Sequence, residues 1–316
     1  MTSTATDATG SARWLVVGAG GMLGRDVSAL LAARGLDFTA TTRAELDLTD
    51  RDAVKAAVSG HDVVVNAAAW TDVDGAETRE ADASAINGDA VRALAAACAD
   101  SGARLLHPST DYVFPGDATS PIPEDAPTAP LNAYGRSKLL GEQAVLELLP
   151  QTGYVVRTAW LYGRHGKNFV ATILNAADQR EFLDVVDDQL GQPTSTVALA
   201  RQLLDLGHAG YAGQAPAGVY HGTCSGQTSW FGLARAAFEL TGLDPERVRP
   251  TTSDKFVRPA PRPAYSVLGH DRWAAAGLAP MPDWQAALRE HLATETAETA
   301  ATAASAAEHG TPEAEA

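Results

Sequence analysis

The 316-residue chain has few cysteines and no long apolar run. Its only cysteines, Cys98 and Cys224, fall in segments that read as a helix and a strand, which indicates reduced thiols rather than a disulfide framework or a zinc site. No apolar stretch reaches the roughly 20 residues of a membrane-spanning helix. The first residues also lack the basic start and apolar segment of a secretion signal. These absences predict a cytoplasmic protein without a membrane span.

Positive charge is also scarce, because 24 Lys and Arg face 39 Asp and Glu, giving a formal net charge of -15 at pH 7. Like charges repel at long range, so neither a nucleic-acid backbone nor an anionic membrane is an expected partner. An anionic substrate would need local cationic contacts. The hydrophobic content of 45% lets a chain of this length bury a sizeable core, as one large domain or two closely joined ones.

Strands and helices alternate through the first half of the chain. Residues 14–18 read as a buried strand, and apolar residues recur at helical spacing from Met22 to Ala33. Each parallel crossover needs a long connection, so this alternation predicts an α/β fold of Rossmann type, with a doubly wound parallel sheet. Further strands are predicted at 38–42, 62–66, 104–107 and 154–157, and further helices at 50–58, 86–99 and 134–149.

Beyond residue 160 the alternation becomes irregular. We expect an NAD(P)-binding Rossmann domain at 13–160 and a smaller, interleaved substrate-binding region at 161–293, which returns elements to the first domain. Its short strands are predicted near 182–187 and 219–223, and its helices near 196–206 and 229–240. The ends, 1–12 and 294–316, are predicted to be disordered tails, the second one acidic, because they cannot bury enough apolar surface to offset their ordering entropy.

Three glycines, Gly18, Gly21 and Gly24, lie at the junction of the first strand and the first helix. A dinucleotide site needs glycine there because the turn is tight, the backbone approaches a pyrophosphate, and the helix N-terminus supplies amide groups and positive dipole. The alternative is an ordinary glycine-rich turn. The strand before and the helix after favour a dinucleotide.

The next segments suggest how the dinucleotide is held. No acidic residue lies at the tip of the second strand, where Thr41, Thr42 and Arg43 stand. Arg43 could instead pair with a 2′-phosphate, which favours NADPH while NADH stays possible; a solvent-facing arginine is the alternative. Asp47 and Leu48 are placed to border the adenine. The small side chains of Ala67, Ala68 and Ala69 would let a nicotinamide ring approach, or would merely permit close helix packing.

Tyr134 and Lys138 place a phenol and an ammonium group on one face of a predicted helix. A nearby cation favours the phenolate, so we expect Lys138 to lower the pKa of Tyr134 and make it a proton donor to a substrate oxygen. An exposed helix pair is the alternative. The proline-rich segment 114–132 leads into Tyr134 and would border its site.

Ser109 and Thr110 follow a predicted strand at its carboxyl end, where ligands of open α/β sheets bind. A hydroxyl group there can donate to a substrate carbonyl and stabilise the charge that develops on its oxygen. The alternative is that these hydroxyl groups cap the local turn.

Together these residues resemble the extended short-chain dehydrogenase/reductase family, and more closely the dTDP-4-dehydrorhamnose reductases. The resemblance spans about residues 14–292. Besides the glycine and Tyr134–Lys138 motifs, it rests on Glu77 and on residues 66–74, 109–116, 156–162, 187–194 and 262–266.

The resemblance implies a role for each matching position. Gly21, Met22 and Leu23 would lie at the pyrophosphate, and Thr110, Tyr134 and Lys138 look like the catalytic triad. Lys138 would also bond the nicotinamide ribose. Substrate contacts are implied for Thr110, Asp111 and Trp160 at the sugar, and for Gln189, Pro193, Thr194 and Arg262 near the nucleotide diphosphate. Arg262 would give the acidic protein its local cation, unless it is an ordinary surface arginine.

One departure from related dehydratases bears on the reaction: Tyr112 stands where they carry a glutamate after Thr-Asp. Without that carboxyl group, simple ketone reduction is favoured over water elimination. We therefore expect NAD(P)H-dependent reduction of the C4 keto group of dTDP-4-dehydro-6-deoxy-L-mannose to dTDP-L-rhamnose. The alternatives are a 4-ketoreductase for another nucleotide-linked deoxysugar and a non-catalytic regulatory subunit.

The family is sometimes associated with Mg²⁺ at a subunit interface. No carboxylate spacing in this sequence requires a metal, so the site residues include no metal ligand and Mg²⁺ stays open. A homodimer also stays open.

Overall fold

The computed structural model describes residues 11–295. Its centre is a six-stranded sheet, in which every neighbouring pair is parallel and the strand order is β10-β5-β4-β3-β1-β2. The predicted Rossmann-type α/β fold is therefore confirmed. The sheet strands are β1 (Trp14–Val17), β2 (Phe38–Thr41), β3 (Val63–Asn66), β4 (Arg104–Thr110), β5 (Gly153–Thr158) and β10 (Gly218–His221).

Helices cover both faces of this sheet because its strands are apolar on both sides. Trp14 and Val16 of β1 pack on one face, against α1 (Met22–Ala33) and α8 (Thr196–Tyr211). Leu15 and Val17 point to the opposite face, as side chains alternate along a strand. The helices on that second face are α2 (Arg51–Val58), α5 (Ala90–Ser101) and α6 (Ala133–Leu148).

The region after β5 interleaves with the sheet, since α8 and β10 both pack into it. The rest forms a smaller core in which Ile173, Val185 and Phe238 are buried together. Its elements are β6 (Leu161–Tyr162), α7 (Phe169–Ala177), β7 (Leu183–Val186), β8 (Leu190–Gly191), β9 (Thr194–Ser195), β11 (Thr228–Ser229), α9 (Trp230–Leu240) and β12 (Val248–Thr251).

Several short elements complete the fold: α3 (Val73–Ala76), α4 (Glu80–Ser84), a π-helical turn (Ala85–Asp89) and α10 (Arg272–Ala275). Three 3-10 turns cover Asp111–Val113, Pro245–Arg247 and Ser253–Lys255, and residues 284–295 are helical. Of residues 11–295, no helix is long and apolar enough to cross a membrane.

The structure differs from the sequence prediction in several places, and α3, α4, β12 and the helix at 284–295 are among the elements that were not predicted. Helix α7 was not predicted, and Cys224 lies after the end of β10 rather than within a strand, although it is fully buried. The predicted tails lie mostly outside the described residues. Of their described members, Ala12 is buried against the core, and residues 294–295 end the last helix.

Candidate active site

A cavity of about 910 Å³ opens at the carboxyl ends of the central strands. Ligands of open α/β sheets bind at this edge, because the chain leaves successive strands there in different directions. Residues that follow β1, β3, β4 and β5 all contribute to its wall. Ten predicted site residues line it: Gly21, Met22, Leu23, Ala67, Ala69, Thr110, Asp111, Tyr134, Lys138 and Trp160.

Gly18 and Gly24 shape the turn without lining the cavity. Gly18 has φ +79°, and a Cβ atom there would lie 2.6 Å from the amide nitrogen of Ala68. A Cβ atom on Gly24 would lie 2.3 Å from the carbonyl oxygen of Gly18. Gly21 caps α1, with no side chain bonded to the helix amides and no acidic residue in the first turn. This glycine cradle and open helix end fit a pyrophosphate group.

The residues predicted near the adenine and its ribose lie outside the cavity wall. Arg43 is exposed in the turn after β2. Asp47 accepts hydrogen bonds from the amide and hydroxyl groups of Thr49, at 2.9 and 2.8 Å, which lower its pKa. Leu48 is buried in the core beneath α2 and α5, with Ala68 packed against the same core. Their contacts with a cofactor stay predictions.

Tyr134 and Lys138 lie in the first turns of α6. Asn132 caps this helix by accepting a hydrogen bond from the amide of Gly135 at 2.8 Å. The buried Lys138 ammonium donates to the carbonyl oxygen of Pro108 at 2.8 Å. Burial lowers the pKa of Lys138 to about 8, although Glu142 opposes this effect.

The expected lowering of the Tyr134 pKa by Lys138 is not what the structure shows. Desolvation of the phenol and the nearby Asp111 carboxylate raise the pKa of Tyr134, and only the Thr110 hydroxyl group acts in the opposite direction. The phenol is therefore protonated near neutral pH, which is the form that a proton donor requires.

Thr110 and Asp111 form the end of β4 and the start of the following turn. The hydroxyl group of Thr110 donates to Asp111 Oδ1 at 3.0 Å and accepts from the amide of Tyr112 at 3.2 Å. Thr110 thus caps the turn while also lining the cavity. Burial raises the pKa of Asp111 to about 6, against the lowering effect of the nearby Ser266 and Thr110 hydroxyl groups.

Ser109 directs its hydroxyl group to a buried ion pair that the sequence did not indicate. Ser109 Oγ donates to Glu142 Oε1 at 2.6 Å, and Glu142 accepts from Arg157 at 2.8 and 3.0 Å. The Glu142 and Arg157 side chains are only 1% and 5% exposed. Glu142 lies four residues after Lys138 on α6, and this spacing was the available signal.

Trp160 lines the cavity, stacked on a second indole. Its ring lies 3.6 Å from that of Trp230, centroid to centroid, with the planes 9° apart. Trp160 has φ +47°, the only positive φ of a non-glycine residue in 11–295. A Cβ atom on Gly191 would lie 2.6 Å from the Trp160 ring, so glycine is needed behind it. Trp230, which also lines the cavity, was missed from the sequence.

Four residues predicted near the nucleotide diphosphate do not line the cavity. Gln189 accepts a hydrogen bond from Trp230 Nε1 at 3.1 Å and donates to Ser253 Oγ at 2.8 Å. Pro193 and Thr194 are buried, and Thr194 Oγ1 donates to the Gln192 carbonyl oxygen at 3.1 Å. Arg262 pairs with Asp74 at 3.0 Å. Their substrate contacts stay predictions.

The cations of the cavity wall come from other positions, which the sequence reading did not select. Besides Lys138, they are Arg25, Arg164 and Lys167, and His165 lines the wall beside them. Lys167 is one of only four lysines in the chain. No group of three or more His, Cys, Asp and Glu side chains within residues 11–295 is arranged to hold a metal ion.

Comparison of the sequence with known proteins identifies its family and its relatives. The family model described as RmlD substrate binding domain matches residues 12–297. A dTDP-4-dehydrorhamnose reductase of Streptomyces griseus is 56% identical over 88% of this chain and 92% of its own length. A dTDP-4-keto-6-deoxy-D-glucose reductase of Streptomyces niveus is 52% identical over 88% of this chain and 96% of its own.

Solved structures give the same result. The crystal structure of a dTDP-4-dehydrorhamnose reductase from Bacillus anthracis in complex with NADP superposes with a TM-score of 0.84 at 34% identity, over 90% of this chain and all of that one. The fold and the relatives are those of a nicotinamide-dependent oxidoreductase. The chain belongs to the RmlD family, which the sequence resemblance predicted.

Proposed function

We propose that this protein is an NAD(P)H-dependent reductase of the C4 keto group of a nucleotide-linked deoxysugar. The observation that carries the proposal is one cavity that brings Thr110, Tyr134 and Lys138 to the glycine turn of a Rossmann sheet. The family of the chain and the names of its relatives support the same reaction. A non-catalytic subunit would need neither the proton donor nor its neighbours.

Each residue of the cavity has a separate role in the reduction of the carbonyl group. The nicotinamide, when bound, supplies the hydride that the carbonyl carbon accepts. Tyr134 is the proton donor to the carbonyl oxygen, since its raised pKa keeps the phenol protonated. In the substrate complex, the Thr110 hydroxyl group would turn its hydrogen from Asp111 Oδ1 to the same oxygen and stabilise its developing charge. The Lys138 ammonium, which donates to the Pro108 carbonyl oxygen, adds a positive charge to this part of the cavity wall.

The substrate we favour is dTDP-4-dehydro-6-deoxy-L-mannose, which would give dTDP-L-rhamnose. The name of the 56% identical relative supports this choice. A 4-ketoreductase acting on another deoxysugar is the second candidate, supported by the name of the relative from Streptomyces niveus. Tyr112 in place of a glutamate after Asp111 argues against water elimination in either case.

The preferred cofactor, the compartment and the assembly of the protein belong to the same proposal. NADPH is the preferred cofactor, on the basis of Arg43 at the end of β2, with NADH as a weaker alternative. The protein acts in the cytoplasm on a nucleotide sugar, and a homodimer stays open. A requirement for Mg²⁺ is not part of the proposal.

Replacement of Tyr134 tests the proton donor. We expect Tyr134→Phe to lower kcat by roughly 100-fold to 10,000-fold, because general acid catalysis contributes about that much, while the affinity for NADPH changes little. Steady-state kinetics with dTDP-4-dehydro-6-deoxy-L-mannose, together with titration calorimetry of NADPH, measures both quantities.

The matched control is Tyr265→Phe, a tyrosine that does not line the cavity. Full turnover by Tyr134→Phe would contradict the assignment. The same assay, run on wild type with several keto-sugar nucleotides, distinguishes the two substrate candidates.

A further inference from the structure

Lys167 belongs to a short loop, residues 163–168, that joins β6 to α7 and contributes Arg164, His165 and Lys167 to the cavity wall. The protein as a whole is strongly acidic, so a group of cations around its main cavity opposes the overall charge. Lys167 is exposed, and no carboxylate within residues 11–295 pairs with its ammonium group. Such a cation favours an anionic ligand.

The shape of the 163–168 loop is held by hydrogen bonds of its own residues. The Asn168 side chain, only 9% exposed, donates to the carbonyl oxygens of Gly163 at 2.8 Å and Gly166 at 3.4 Å. The same side chain accepts from the amide of Ala171 at 3.0 Å and so caps α7. Gly166 has φ +82°, which allows the chain to turn. A preformed loop loses little entropy when it contacts a ligand.

The loop lies directly against the start of α1. A Cβ atom on Gly163 would lie 3.1 Å from Met22 Cγ, and Met22 is the first residue of that helix. Arg25, also in the first turns of α1, donates through Nε to the Gly20 carbonyl oxygen at 3.0 Å and lines the cavity. A cation near a helix N-terminus opposes the helix dipole, so this position is unfavourable without an anion.

We propose that Lys167 of the 163–168 loop, together with Arg25, binds the pyrophosphate of the nicotinamide dinucleotide at the N-terminus of α1. This inference rests on the proposed function, because it assumes a dinucleotide at the glycine turn. It adds positively charged side chains to the amide groups that the helix N-terminus supplies to that site. The loop lies about 140 residues beyond the glycine motif, within the predicted substrate-binding region.

Two other phosphate groups could be considered, and the structure favours neither. The 2′-phosphate of NADPH would lie near the adenosine ribose, beyond the end of β2, where Arg43 follows the strand. The diphosphate of the sugar substrate is expected on the side of Gln189 and Arg262. The contact between Gly163 and Met22 instead places the loop beside the helix end that faces the pyrophosphate.

Binding of three nucleotides to the purified full chain tests the proposal. NADPH, NADH and dTDP are titrated separately by calorimetry at low salt into wild type, Lys167→Gln and Lys167→Arg. Both dinucleotides share the pyrophosphate, so we expect Lys167→Gln to raise both dissociation constants by a similar factor, roughly fivefold to tenfold. The dissociation constant for dTDP stays unchanged, and Lys167→Arg stays within about twofold of wild type.

The matched control is Lys55→Gln on α2. It removes the same charge from an exposed pair with Asp100 of α5. It corrects for the change in net charge and leaves all three affinities unchanged. Added salt should reduce the difference between wild type and Lys167→Gln, because exposed charges are screened.

Three results would overturn the proposal: weaker binding of NADPH alone, weaker binding of dTDP, or unchanged binding of all three nucleotides. Loss of NADPH alone would assign Lys167 to the 2′-phosphate, and loss of dTDP would assign it to the substrate. If wild type itself bound no dinucleotide, the proposed function would fail first, so the two failures are distinguishable.

Discussion

Asp111 and Tyr134 share a desolvated environment, in which the Asp111 carboxylate disfavours the charged form of Tyr134. Burial raises the pKa of Asp111 to about 6, and the Asp111 carboxylate in turn raises the pKa of Tyr134. Such strained electrostatics are typical of functional sites, where binding and catalysis take precedence over stability. The free energy of unfolding should therefore change with pH over the range in which the Asp111 carboxyl group titrates.

We expect Asp111→Asn to stabilise the protein at neutral pH. The folded-state pKa of Asp111 is raised from 3.8 to about 6, so the folded state binds the proton more tightly than the unfolded state does. Wild type then loses free energy of unfolding, relative to Asp111→Asn, as the pH rises from about 4 to about 6. The total loss is about 3 kcal/mol, at 1.36 kcal/mol per pKa unit.

Urea unfolding of both proteins at pH 4, 5, 6 and 7 measures this difference. Parallel curves of stability against pH would show that Asp111 does not titrate in this range. Asp205→Asn, on the exposed surface of α8, provides a control for the loss of one carboxylate.

At the same scale, the sequence predicted which side chains surround the reaction but not how they are held. Tyr134 and Lys138 are recognisable because helix periodicity places them on one face. The hydrogen bond from Lys138 to the Pro108 carbonyl oxygen joins α6 to a strand that lies 30 residues earlier in the chain. No local sequence pattern predicts this contact. The same limit applies to Trp160, whose stacking partner Trp230 follows it by 70 residues.

Helix α6 connects the catalytic residues to the sheet. Its first turns carry Tyr134 and Lys138, and one turn further Glu142 bonds both Ser109 of β4 and Arg157 of β5. The buried pair thus ties the helix to two strands, directly beneath the end of β4 from which Thr110 reaches the cavity.

We expect Glu142→Gln to lower the free energy of unfolding by roughly 3 kcal/mol or more, since it leaves the Arg157 guanidinium buried without its partner charge. The matched control is Glu147→Gln on the same helix, which removes an exposed pair with Arg92 and should leave stability nearly unchanged. Chemical denaturation of both variants measures the contrast, and equal losses would show that burial does not set the strength of the pair.

The predicted elements agree with the structure where periodicity is long and clear. Helices α1 and α2 and strands β1 to β3 lie within a residue or two of their predicted bounds. Helix α7 was missed because its β-branched Val170, Thr172 and Ile173 have low helix propensity. Its beginning is set by the Asn168 cap, a signal that is visible in the sequence only once the helix is suspected.

At the scale of the whole molecule, an acidic protein places a few cations in the wall of the cavity at the carboxyl ends of its strands. The sequence predicted the need for such cations and selected Arg262, which pairs with Asp74 outside the cavity wall and whose substrate contact stays a prediction. The loop that carries Lys167 reaches the cavity through the order of strands and crossovers, which brings β6 and α7 beside α1. This arrangement is a property of the tertiary fold, and no spacing along the chain reveals it.

The most direct test of the account follows the hydride. Purified protein is incubated with dTDP-4-dehydro-6-deoxy-L-mannose and NADPH that carries deuterium at the transferable position of nicotinamide C4, and the product is analysed by NMR. The account predicts dTDP-L-rhamnose with deuterium at C4 of the sugar and nowhere else, and no product from Tyr134→Phe at a comparable rate. Product without deuterium at C4, or deuterium at another ring carbon, would contradict direct reduction of the 4-keto group.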